Sequence, residues 1–116
     1  MRITILSLLL AALGIGAAYA HAALDHATPV AGSTVATAPH EVMLTFTQNL
    51  EPAFSTVQVT DSKGARVDQG KPQISGATMR VALKPLVPGS YRVHWHAVSA
   101  DTHSTQGDFS FTVGGS

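Results

Sequence analysis

Runs in which every second residue is apolar recur along this chain, and they leave few folds open to it. Val42, Leu44 and Phe46 alternate with Met43 and Thr45, and Met79, Val81 and Leu83 repeat the pattern. Tyr91, Val93, Trp95 and Ala97 line one side of the longest run, and Phe109, Phe111 and Val113 close the chain. Val57 and Val59 make a shorter pair, and Leu24 opens a first run that ends at Thr28-Pro29. Successive side chains of an extended backbone point to opposite faces, so a period of two marks a strand with one buried face. Ala31-Gly32-Ser33, Asp61-Ser62-Lys63-Gly64 and Pro88-Gly89 punctuate the runs as turns. Strands divided by turns roughly every ten residues predict an all-β protein. The expected architecture is an immunoglobulin-like, Greek-key antiparallel β-sandwich of seven or more strands, cupredoxin-like in outline. Trp95 is expected between the sheets. The Cys-Trp-Cys spacing of true immunoglobulin domains is absent. Gln48 to Ser55, with Pro52, reads as a loop or a single helical turn, and Gly114-Gly115-Ser116 as a frayed end.

The first twenty residues follow a different rule. Arg2 supplies a positive start, Ile3 to Ala17 an apolar run, and Ala18 and Ala20 small residues at the −3 and −1 positions. That combination predicts a secretory signal peptide over residues 1–20, and the run is shorter than the ~20 residues of a spanning helix. Cleavage after Ala20 leaves residues 21–116 as one domain, long enough for a single core. Loss of Arg2 leaves six Lys and Arg against seven Asp and Glu, a net charge of −1 with histidine neutral. No broad basic footprint for nucleic acid exists, and no second apolar segment would insert the mature chain in a membrane. The chain has no cysteine. An exported domain must then stand on its core without disulfides, and thiolate metal sites and cysteine nucleophiles are excluded. A bacterial periplasm fits these features.

Cleavage also makes His21 the first residue. A free α-amine and the ring Nδ1 of the same histidine can close a chelate on one metal ion, which an internal histidine cannot do. The chain carries six histidines, at positions 21, 26, 40, 94, 96 and 103. Imidazole suits copper, zinc, iron and nickel. Asp101-Thr102-His103 follows the longest run, and in an extended segment Asp101 and His103 would share a face. Taken alone, the commoner reading of that pattern is a turn Asp that caps backbone amides beside an exposed His. His26 could approach His21, although their odd spacing puts them on opposite faces of a strand. His94 and His96 alternate with Val93, Trp95 and Ala97 and read as a polar outer face. His40 reads as exposed, and Glu41, Glu51, Asp61 and Asp68 as solvated surface. No G-x-S-x-G elbow, P-loop or dinucleotide fingerprint is present.

Several stretches together resemble the CopC family of periplasmic copper-resistance proteins. They are the start His21-Ala22-Ala23-Leu24, then Thr28 to Ser33, Val42 to Leu50, and Pro88 to Val93. The most specific is Trp95 to His103, read as W-x-x-x-S-x-D-x-H, followed by Gly107 and Phe109-Ser110-Phe111. The resemblance implies a β-sandwich that binds one Cu(II) per chain through the His21 amine, His21 Nδ1, Asp101 and His103. It suggests hand-over of copper to an inner-membrane transporter of the CopD type; a monomer without enzymatic activity is the expectation. Two departures stand out. Some members carry Glu at the Cu(II) site where this chain has Gln48, so Gln48 is left out of the ligand set. Others hold Cu(I) in a Met-rich stretch, whereas Val57 to Ser75 here contains no Met and no His. Met43 and Met79 sit on strand patterns and read as packing residues.

Copper binding for resistance or homeostasis is thus the expected function. Two other readings remain beside it: a histidine-brace copper oxygenase of the lytic polysaccharide monooxygenase type, and an interaction sandwich whose histidines are incidental.

Overall fold

The computed structural model describes residues 22–115. Eight strands follow one another, and no described residue is helical. They are β1 (Leu24–Thr28), β2 (Thr34–Val35), β3 (Glu41–Phe46), β4 (Thr56–Asp61), β5 (Asp68–Ser75), β6 (Thr78–Leu83), β7 (Gly89–Val98) and β8 (Ser104–Val113). One four-stranded sheet has the order β1-β3-β6-β5 and the other β2-β8-β7-β4. Neighbours are antiparallel, except that β2 runs parallel to β8.

The alternating runs face each other across the core, as the period of two requires. Val42, Leu44, Phe46, Met79, Val81 and Leu83 are buried on the first sheet; Val57, Val59, Tyr91, Val93, Trp95, Ala97, Phe111 and Val113 are buried on the second. The expected place of Trp95 is the observed one. Its ring is 8% exposed and meets Phe46 of the opposite sheet edge-on, with centroids 5.1 Å apart and planes at 74°. Gly107 stands opposite Trp95 on β8, and a Cβ there would come within 2.6 Å of the indole. The absent side chain is what leaves room for the ring beside that strand.

Some details differ from the sequence reading or go beyond it. β5 was not expected, because its residues are polar and include Gly70 and Pro72. It is an edge strand, where one side faces solvent and a proline costs little. β2 is only two residues long. Met43 packs off the core face, as its alternation with Val42 and Leu44 predicts: it is half-buried on the outer face of the first sheet and lines a groove of about 570 Å³ with Thr45, Gln73 and Arg80. The Gly114 amide is not frayed, since it donates to the Val35 carbonyl at 2.8 Å.

Candidate metal centre

β7 ends at Val98, and the chain turns at once into β8. Ser99 is fully buried and makes an isolated bridge with Leu50. Its amide donates to the His103 carbonyl at 2.9 Å, and the Thr102 amide donates to the Ser99 carbonyl at 2.8 Å. Closing so tight a turn puts Thr102 at φ +74°, in the left-handed region that non-glycine residues seldom adopt.

This turn brings Asp101 and His103 together. His103 Nδ1 lies 3.2 Å from Asp101 Oδ2, with the side chains 52% and 44% exposed. The two were expected to meet as alternate residues of an extended segment. They meet instead because the backbone reverses between them. The hydroxyl of Ser99 donates to Asp101 Oδ1 and also lies 3.2 Å from the His103 carbonyl. The Asp101 carboxyl is held below its ordinary range, first by the Ser99 hydrogen bond and then, against a small desolvation penalty, by His103. A carboxylate fixed in its ionised form beside an imidazole suits a cation.

Two other stretches are laced to this turn. The Asn49 carbonyl accepts from the Ala100 amide at 3.0 Å, and the Glu51 amide donates to the Val98 carbonyl at 2.7 Å. Gln48, half-buried, precedes Asn49 at this end of the sandwich. Ala22 is fully buried, and its carbonyl accepts from the Thr105 hydroxyl at 2.8 Å. The Ala23 amide donates to Thr47 Oγ1 at 2.9 Å, and the Thr47 amide returns a bond of the same length to the Ala23 carbonyl. Residues 22–23, 47–51 and 99–105 therefore converge. His21 and residues 1–20, expected as a signal sequence, lie outside the described residues.

The remaining histidines are placed elsewhere. His26 is exposed beside Asp25, with Nδ1 3.0 Å from Oδ2. Its face could not be counted from the terminus, because a bulge interrupts the register between Leu24 and His26 and breaks the period of two. His94 and His96 occupy the outer face of β7 as expected, and His40 is exposed. The sequence reading missed Asp108, whose Oδ1 lies 2.9 Å from His94 Nδ1. Only strand register reveals that contact. Among the described residues, no three His, Cys, Asp or Glu side chains are gathered so as to hold a metal.

The CopC domain family model matches residues 24–114, which spans all eight strands. The chain belongs to the CopC family. Copper resistance protein C of Xanthomonas campestris pv. juglandis is 36% identical over 112 residues, covering 89% of this chain and 87% of that protein. The crystal structure of PcoC from Escherichia coli, described as a methionine rich copper resistance protein, superimposes with a TM-score of 0.71 at 38% identity. It covers 81% of this chain and 99% of that one. Copper transport protein CutJ of Bacillus subtilis is 36% identical over 100 residues, which are 83% of this chain and only 18% of CutJ.

Proposed function

We propose that the processed chain is a periplasmic protein that binds one Cu(II) through the His21 amine, His21 Nδ1, Asp101 and His103, and sequesters or delivers it. The observation that carries this reading is the anchor between Ala22 and Thr105. Residue 21 is bonded to Ala22, so its Cα lies about 3.8 Å away from that of a residue held against the strand that begins just after His103. The donors are nitrogen and oxygen atoms with one carboxylate charge, a set that suits Cu(II) in a tetragonal arrangement. Among the described residues the soft donors lie elsewhere, for Met79 is fully buried in the core and Met43 lines the outer groove. The Asp101 carboxylate beside His103 adds a negative charge that favours the dication. Signal-peptide cleavage would create the chelate only after export, where Cu(II) is met.

The likeness to CutJ supports a hand-over role, since a similar domain there forms a minor part of a larger protein named for copper transport. An inner-membrane copper transporter is the partner this suggests. The oxygenase reading is disfavoured because Trp95 is buried in the core and cannot form part of a surface for polysaccharide. Titration of the chain 21–116 with Cu(II), followed by d–d absorption and quenching of Trp95 fluorescence, tests the proposal. One equivalent should bind tightly, and Asp101→Ala and His103→Ala should weaken its binding without abolishing it. No stoichiometric binding would leave the interaction sandwich. Oxidised sugars formed with a reductant would establish the oxygenase.

A further inference from the structure

Arg92, His94 and His96 project from the outer face of β7 between two polar rows. His94 stands opposite Asp108 on β8 and Gln58 on β4, while His96 stands opposite Gln106 and Thr56. Asp108 Oδ1 lies 2.9 Å from His94 Nδ1 and 3.3 Å from Arg92 Nε. The Asp108 carboxyl sits below its ordinary range, chiefly through the His94 hydrogen bond and, against slight desolvation, through the charge of Arg92. An ionised carboxylate on Nδ1 selects the tautomer with the proton on that nitrogen and leaves the lone pair on Nε2, the arrangement that prepares a histidine for a metal. His96 follows on the same face roughly 6.6 Å along the strand, within reach of an ion shared by two imidazoles. Asp108 acts there as a hydrogen-bond acceptor behind His94 and not as a third ligand.

We propose that His94 and His96 form a second, weaker metal site on the outer face of the β2-β8-β7-β4 sheet, taking one divalent transition-metal ion through Nε2 of both rings. Cu(II) is the preferred ion, because two neutral nitrogen donors with open positions filled by water follow the ordinary order of divalent affinities. The nearby Arg92 charge, already engaged by Asp108, keeps the site weaker than one with a carboxylate ligand. No residue is shared with Asp101 or His103, which lie beyond Val98 at the end of the sandwich.

The test is imidazole ¹H–¹⁵N NMR of the chain 21–116 during addition of two equivalents of Cu(II). Signals of His94 and His96 should broaden together as the second equivalent enters. The single variants His94→Asn and His96→Asn should each lose this broadening, because one imidazole does not make the chelate. Asp108→Ala should move its midpoint about tenfold higher in copper, as loss of a hydrogen-bond partner behind a ligand does. Sharp His94 and His96 signals at two equivalents would overturn the proposal. So would broadening that persists in either single variant, or that is equal at the exposed His26 and His40. The readout is resolved by residue, so failure of binding at Asp101 and His103 would be seen separately.

Discussion

The Thr105 hydroxyl donates to the Ala22 carbonyl at 2.8 Å across a sequence separation of 83 residues. That bond fixes the first described residue of the domain against the strand that follows the Asp101–His103 turn. Thr105→Val keeps the shape and removes the donor. A net hydrogen bond is worth about 1 kcal/mol, which corresponds to roughly fivefold in affinity if all of it is transmitted to the metal. Competitive titration should show Cu(II) binding weakened by about that factor. Unchanged affinity would mean that the anchor does not position residue 21.

Ser99→Ala should release the Asp101 carboxyl. Its depressed value depends first on the Ser99 hydroxyl, so the variant should titrate closer to the ordinary 3.8. A carboxyl depressed in the folded state stabilises the fold at pH above its unfolded value, and the contribution is lost as pH falls through the folded value. The variant should therefore lose part of that acid-dependent contribution. The side-chain carboxyl ¹³C shift of Asp101 against pH measures the effect, and an unmoved midpoint would assign the depression to His103 instead.

Asp68 should respond to acid in the same direction for a different reason. Its side chain is 6% exposed and takes Nε and Nη2 of Arg66 at 2.7 Å each and the Val59 amide at 2.9 Å. Burial raises its pKa, but the Arg66 hydrogen bond and the Val59 amide together outweigh burial and leave it lowered. Asp68 thereby joins β5 of one sheet to β4 of the other. Asp68→Ala strands the Val59 amide, which should cost about 1–3 kcal/mol in urea unfolding at neutral pH. The difference from the parent should shrink as pH falls below the ordinary carboxylate range, because protonation removes the same bonds from the parent.

The strands that build the core were legible in the sequence because each has one wholly apolar face, as Val42-Leu44-Phe46 and Tyr91-Val93-Trp95-Ala97 show. β5 was not legible because an edge strand with solvent on one side has no need of that pattern. Spacing placed Asp101 and His103 on one face, and only the family resemblance made them candidate ligands; the spacing argument assumed an extended backbone, whereas it is the turn at Thr102 that brings them together. The bonds from Ala22 to Thr105 and from His94 to Asp108 join distant positions. They depend on strand pairing, which no local pattern carries.

Gly107→Ala should destabilise the domain by about 1–3 kcal/mol, the usual cost of overpacking. The added Cβ would lie 2.6 Å from Cζ2 of Trp95, so the ring must be displaced from its buried position. Urea unfolding measures the loss, and a red shift of Trp95 emission in the folded protein checks the mechanism. A destabilised variant with unshifted emission would place the strain elsewhere.

The most direct test of the proposed copper site leaves the side chains of the folded domain unchanged. A chain with one extra residue ahead of His21 keeps every side chain but ties the His21 nitrogen into a peptide bond. Its Cu(II) affinity, measured beside that of the chain beginning at His21, should fall by most of its value while melting temperature stays the same. Equal affinity in the two forms would contradict the proposed site.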